Sequence, residues 1–79
     1  MRNAPPMSKS IYSKEYKNII ERLKTARLEI GLKQEEMAAK LKKPQSYISK
    51  IERGERRVDA AELKELAKIL KKDVNYFLS

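Results

Sequence analysis

Residues 32–54 read LKQEEMAAKLKKPQSYISKIERG and contain two short helical patterns, from about residue 34 to 41 and from about residue 45 to 53. Pro44 marks the corner between them and suits the first turn of the second pattern, which Gly54 can end. This second pattern is polar apart from two apolar anchors, so it predicts a helix with an exposed polar side. The small or aliphatic residues expected beneath the two helices are Met37, Ala38, Leu41, Ile48 and Ile51.

Helical spacing continues on both sides of this stretch. Apolar residues before it recur at intervals of three and four, which predicts a helix that Gly31 can end. After it, Asp59 and Glu62 form a capping-box pattern, and Asp73 can cap a last short turn. No strand pattern competes, so the sequence predicts an all-α, compact five-helix domain. The stripes expected to be buried are Tyr16, Ile19, Ile20, Leu23, Ala26 and Ile30 in the first helix and Leu63, Leu66, Ala67 and Leu70 in the fourth.

The chain length of 79 residues is enough for one small domain. Residues 1–13 show no apolar periodicity and contain Pro5, Pro6 and several serines, which predicts a flexible N-terminal tail. Residues 14–79 are then expected to form the helical domain, which ends in an apolar segment.

The formal net charge is +8 at pH 7. Residues 1–30 contain seven basic and three acidic residues, residues 31–58 contain eight and four, and residues 59–79 contain four of each. The positive surplus therefore lies before residue 59, and its size on so small a domain predicts a polyanionic partner. The neutral last third must serve another purpose.

The chain has no Cys and no His, which excludes disulfides, a Cys/His zinc site and catalysis by thiol or imidazole. It also lacks a Gly-rich phosphate loop. We therefore expect neither an enzyme nor a cofactor. The N-terminal residues lack the apolar stretch of a signal peptide, and no segment resembles a membrane span, so we expect a cytoplasmic protein with no membrane partner.

The polar side of the helix at residues 45–53 matches the chemistry of DNA base edges. Gln pairs bidentately with adenine, Ser bonds to several base edges, and a Tyr ring can contact a thymine methyl group or a phosphate. We predict Gln45 to be the main base reader. The full predicted base-reading set is Gln45, Ser46, Tyr47, Ser49 and Lys50.

Sequence-independent phosphate contacts need cations or amides around such a helix. Candidates lie at the start of the second helix, in the turn and in the loop after the third helix. They are Lys33, Gln34, Lys42, Lys43, Arg53, Arg56 and Arg57.

Residues 16–78 resemble the phage-repressor helix-turn-helix family, also called the Xre or Cro/repressor type. The resemblance lies in the register of seven residues together with a preceding Leu32 and a four-residue loop into a capped helix. It implies that Gln34, Gln45 and Ser46 contact operator DNA. The seven residues are Gln34, Ala38, Leu41, Ile48, Ile51, Glu52 and Gly54.

The edge of the predicted core contains a carboxylate, Glu52, which requires a partner there. The resemblance implies that this partner is Arg27, in a structural ion pair. The chain departs from the family pattern at Lys42, where a Gly is common, so this residue must adopt a left-handed conformation or change the shape of the turn. It also departs at Lys33, which cannot cap a helix as Ser or Thr does, and at Pro44.

The last apolar residues can close the core, form a dimer seam, or do both. They are Val74, Tyr76, Phe77 and Leu78. Domains of this motif bind as two-fold dimers, so we expect a homodimer on double-stranded DNA and a transcriptional regulator, more often a repressor. Two alternatives stay open. One is the antitoxin of a toxin–antitoxin pair, which grips a toxin or other protein partner, and the other is a coactivator-like interaction adaptor.

Overall fold

Five α-helices connected by short turns make up the part of the chain that a computed structural model describes, residues 13–78. The predicted all-α, five-helix fold is confirmed. The bounds predicted for the second and third helices agree within one residue, whereas residues 1–12 of the predicted tail lie outside the described residues. In chain order the helices are α1 (Lys14–Glu29), α2 (Gln34–Lys40), α3 (Gln45–Glu52), α4 (Ala60–Leu70) and α5 (Val74–Leu78).

Helix α1 begins and ends at residues that the sequence explains. The hydroxyl of Ser13 accepts the backbone N–H of Tyr16 at 3.2 Å, which satisfies one of the free donors of the first turn. Gly31 has φ +76°, a conformation that costs glycine little. Ile30 was expected to be buried with the apolar stripe of α1, and this was wrong, because Ile30 is 41% exposed. It is the C-cap of α1 and no longer follows the helical stripe.

The turn between α2 and α3 sets the direction in which α3 leaves. Lys42 has φ +59° there, the left-handed alternative, which costs a residue with a Cβ about 1 kcal/mol. The backbone N–H of Lys43 donates to the carbonyl of Ala38 at 2.9 Å, which fixes the turn. Pro44 was predicted to lie in the first turn of α3, but it is the extended N-cap residue before that helix. It therefore redirects the chain immediately before α3 begins.

Capping differs between α4 and α2. At α4 the Asp59 carboxylate accepts the Glu62 N–H at 2.7 Å and the Glu62 carboxylate accepts the Asp59 N–H at 3.0 Å, so the predicted capping box is confirmed. At α2 the Glu36 carboxylate accepts the Lys33 N–H at 2.8 Å. The second bond of a capping box is missing, because the Lys33 ammonium is only a donor and cannot accept the N–H of Glu36. A second left-handed lysine, Lys71 with φ +59°, ends α4 and was not predicted.

The core lies between all five helices. Both apolar anchors of α3, Ile48 and Ile51, are 2% exposed, and the predicted stripe of α4 is buried throughout. Leu41 is only half-buried. Because its anchors point into the core, α3 must turn its opposite side outward. The other buried apolar residues are Tyr16, Ile20, Leu23, Ala26, Met37, Ala38, Tyr47, Leu63, Leu66, Ala67, Leu70 and Phe77.

Candidate nucleic-acid interface

The outward side of α3 carries four of the five side chains predicted to read bases. Gln45, Ser46 and Lys50 are exposed, and Ser49 is half-buried. Their spacing of one, four and five residues from Gln45 places them on one side of the helix. The structure therefore brings amide, hydroxyl and ammonium groups together on one polar surface.

Tyr47, the fifth predicted base reader, is 9% exposed, so the expectation that its ring lies on an outward flank was wrong. The guanidinium of Arg56 lies over the ring, 4.6 Å from its centroid, and the Lys43 ammonium lies 5.3 Å from it. Burial, followed by the nearby Glu62 carboxylate, raises the pKa of Tyr47 to about 12. The loop after α3 covers this ring, which a helical wheel cannot show.

Gln45 is oriented by a chain of side-chain hydrogen bonds that leads into the protein. Its Nε2 donates to Oε1 of Gln34 at 3.3 Å, and Nε2 of Gln34 donates to Oε1 of Glu52 at 2.9 Å. The first bond uses one N–H of the Gln45 amide. The second N–H and the carbonyl oxygen remain, and these are the groups that pair with adenine.

Glu52, at the inner end of this chain, is paired with Arg27. Nε of Arg27 lies 2.6 Å from one carboxylate oxygen and Nη2 lies 3.0 Å from the other, and both side chains are 7% exposed. Nη1 of Arg27 donates to the carbonyl of Leu32 at 2.8 Å. These bonds offset the cost of removing two charges from water, and they tie α1, the start of α2 and α3 together.

Exposed cations lie at both ends of α2. Lys33 precedes the helix, Lys42 and Lys43 follow it, and all three are exposed. Arg57, also exposed, places its guanidinium 5.1 Å from the ring centroid of Tyr16. Each of these side chains can neutralise a phosphate without regard to sequence.

Arg53 and Arg56, two other predicted phosphate contacts, are engaged within the protein. Arg53 donates to both carboxylate oxygens of Glu55, at 3.0 and 3.1 Å, and to the Ser49 hydroxyl at 2.9 Å. This pairing lowers the pKa of Glu55 and raises that of Arg53. Arg56 donates to both oxygens of Glu62, at 3.1 and 2.9 Å. A phosphate can compete for the exposed Arg53 pair, whereas Arg56 is half-buried and serves the fold.

Sequence reasoning missed the side chains that hold the loop after α3. The hydroxyl of Tyr16 accepts the N–H of Val58 at 3.0 Å and donates to the carbonyl of Arg56 at 3.2 Å. Glu62 was predicted only as a helix cap, yet it also binds the Arg56 guanidinium. The apolar stripe indicated that the Tyr16 ring is buried, but no pattern indicated partners 40 and 42 residues away.

Two of the four predicted dimer-seam residues contact their own chain extensively. Phe77 is 1% exposed and closes the core. The ring of Tyr76 meets that of Phe77 edge-on at 5.0 Å between centroids. Arg22 and Lys72 place their cationic groups 5.5 and 4.6 Å from the Tyr76 ring centroid, so this ring is half-buried by its own chain.

The other two predicted seam residues, Val74 and Leu78, line an open groove of about 390 Å³. Leu78 is 57% exposed, and Val74 is half-buried. The groove therefore presents apolar surface to solvent. Its other apolar lining residues are Ile19, Val58, Ala60 and Leu63.

A family model described as Helix-turn-helix matches residues 23–77, which is more than half of the chain and includes the whole polar surface of α3. The chain belongs to the helix-turn-helix family of the Xre/Cro type. A comparison with curated proteins finds no significant match.

In this helix-turn-helix protein, α2 and α3 form the motif, and the family places the protein among DNA-binding transcriptional regulators. Within residues 13–78, no helix is long and apolar enough to cross a membrane. The same residues contain no acidic cluster of three or more side chains that could hold a metal ion.

Proposed function

We propose that this helix-turn-helix protein is a sequence-specific repressor that binds a palindromic operator as a homodimer, with α3 in the major groove. The observation that carries the proposal is the exposed Gln45 amide, which Gln34 orients while leaving the adenine-pairing groups available. A good bidentate pairing of this kind contributes about 1–3 kcal/mol of discrimination between bases.

Three neighbours of Gln45 extend the proposed reading surface. Ser46 can bond to several base edges, and the Lys50 ammonium suits the acceptor atoms of guanine. The Ser49 hydroxyl accepts a hydrogen bond from Arg53 at 2.9 Å, and its O–H remains to donate to a base edge. Tyr47 is not included, because its ring is covered.

Phosphate contacts supply the remaining affinity in this proposal. Lys33, Lys42, Lys43 and Arg57 are exposed around the motif, and the net charge of +8 favours association with a duplex. Each phosphate neutralised should contribute about −0.9 to the slope of log affinity against log salt concentration. Gln34, Arg53 and Arg57 also contact groups within the protein, so a phosphate must compete with those contacts.

The central test replaces Gln45 by Ala. Sites bound by the wild-type protein are first selected from a random pool of duplexes, and affinities for the selected site and for random duplex are then measured at one salt concentration. We expect Gln45→Ala to lose roughly 5- to 150-fold on the selected site, the equivalent of one bidentate pairing, and to bind random duplex nearly as well as wild type.

Asn18→Ala is the matched control, because it removes an exposed amide from α1, outside both α3 and the proposed dimer seam. It should leave both affinities unchanged. Equal losses on selected and random duplex for Gln45→Ala would refute the role of Gln45 as a reader. A wild-type protein that selects no sequence would instead favour the adaptor alternative.

The proposed dimer is supported by the exposed Leu78 and by the apolar groove beside it. The last third of the chain also has no net charge, so two copies would not repel each other there. Two-fold symmetry would place the two copies of α3 about 34 Å apart, one turn of B-DNA. Leu78→Ser should then weaken binding to the full palindrome and leave half-site binding unchanged.

A different protein bound at Leu78 in place of a second copy would favour the antitoxin alternative. Repression follows if the operator overlaps a promoter.

A further inference from the structure

The first turn of α3 is connected to α4 by side chains more than by backbone packing. The backbone of α3 packs closely against α2 and α1 and only weakly against α4. The side chains that bridge the gap are Tyr47 of α3, Arg56 of the following loop and Glu62 of α4. These three groups therefore add a link between the first turn of α3 and α4, beyond the backbone turn that precedes α3.

Arg56 contacts both of the other side chains. Arg56 donates to both carboxylate oxygens of Glu62, at 3.1 and 2.9 Å, and its guanidinium lies 4.6 Å from the centroid of the Tyr47 ring. After burial, the nearby Glu62 carboxylate is the next cause that raises the pKa of the Tyr47 hydroxyl. Arg56 also donates to the carbonyl of Arg57 at 2.8 Å, and Glu62 accepts the N–H of Asp59 at 3.0 Å. Arg56 and Glu62 are thus each also hydrogen-bonded to a backbone group.

We infer that Tyr47, Arg56 and Glu62 form a brace that sets the angle at which α3 presents Gln45 and Ser46 to bases, which makes them positioning residues for sequence-specific binding. The inference rests on the proposed function. Tyr47 lies two residues after Gln45 in the same turn of the helix, so a backbone shift at Tyr47 displaces Gln45 as well.

Base contacts and phosphate contacts respond differently to such a shift. A bidentate hydrogen bond weakens steeply once a distance exceeds about 3.2 Å or its angle becomes poor. A lysine on a flexible stem follows a phosphate through a shift of the same size. Loss of the brace should therefore reduce the preference for the operator and leave affinity for random duplex almost unchanged.

The test compares Glu62→Gln, Tyr47→Phe and the control Glu29→Gln. Glu62→Gln removes the charge that holds Arg56 but keeps an acceptor for the capping box. Tyr47→Phe removes only the hydroxyl and alters no charge. Glu29→Gln makes the same charge change as Glu62→Gln in the exposed pair of Glu29 with Lys72, 3.6 Å apart. Folding of each variant is checked by circular dichroism.

For both brace variants we expect operator affinity to fall about tenfold, within the range for one base contact, while affinity for random duplex stays near the wild-type value. A ratio that falls only because random-duplex affinity rises, through an Arg56 released from Glu62, would count against the brace. The control should keep the wild-type ratio. In the free protein, the amide NMR signals of Gln45 and Ser46 should shift in Glu62→Gln and stay in place in the control. If Glu62→Gln fails to fold, Tyr47→Phe carries the test.

Three results would overturn parts of this reasoning. Wild-type preference retained by both brace variants would overturn the brace alone. Loss of preference in Tyr47→Phe but not in a folded Glu62→Gln would mean that the Tyr47 hydroxyl reads DNA directly, which also overturns the brace. A wild-type protein without any sequence preference would overturn the proposed function itself.

Discussion

Replacing Glu52 by Gln should destabilise the domain strongly, because Arg27 would keep a buried charge without its counter-charge. Both side chains are 7% exposed, and breaking such a pair by removing one partner costs about 3–5 kcal/mol. Gln keeps one acceptor oxygen for Arg27 or Gln34, so we expect the lower end, about 3 kcal/mol. For a domain of this length, 1 kcal/mol corresponds to about 4–8 °C, which gives a fall in the unfolding midpoint of roughly 12–24 °C.

Thermal and urea unfolding at pH 7, followed by circular dichroism, measure this loss. Glu29→Gln is the matched control, since it removes the same charge from the exposed pair with Lys72 and should cost no more than about 0.5 kcal/mol. If Glu52→Gln cost as little as Glu29→Gln, the charge of Arg27 would have to reach water without its partner, and the argument from burial would be refuted.

Three further perturbations test other parts of the structure. Hydrogen bonding, chiefly with a guanidinium, lowers the pKa of Glu62 from 4.5 to about 2, so its stabilisation is complete above about pH 4.5 and is lost as the pH falls toward 2. The difference in free energy of unfolding between wild type and Glu62→Gln should shrink over that range, and a constant difference would contradict the pairing. Lys42→Gly and Lys71→Gly should each stabilise the domain by up to about 1 kcal/mol, since both lysines have φ +59°. An unchanged midpoint in thermal unfolding would count against strain. Glu55→Gln should release Arg53 and steepen the salt dependence of DNA binding by about 0.9 in log–log slope if Arg53 then contacts a phosphate, which titrations at several salt concentrations would show.

The fold was predictable because its signals are local. Apolar spacing and caps act between residues three or four apart, as in the bond from Glu62 to Asp59, and a single pass along the chain reveals them. At Lys42 the sequence predicted either a left-handed conformation or a turn of different shape, and the first of these is observed. Lys71 was missed because a lysine in that conformation breaks the usual preference for glycine.

The candidate site was predictable only in part. A helical wheel identifies which side of α3 lacks apolar anchors, and so it located Gln45 and Ser46. It could not show that the loop after α3 returns over Tyr47, nor that Arg56 binds Glu62 rather than solvent. These contacts depend on the path of a loop in three dimensions, which periodicity does not encode.

The hydrogen-bonded path from Arg27 through Glu52 and Gln34 to Gln45 has a consequence for how this protein can evolve. If α3 reads bases as proposed, substitutions at the surface positions 46 and 50 can alter the preferred operator while the domain still folds. A change at position 52 puts folding and recognition at risk together. New binding preferences should therefore arise first at the outer positions, and lineages that diverge in operator sequence should differ there before they differ in the interior.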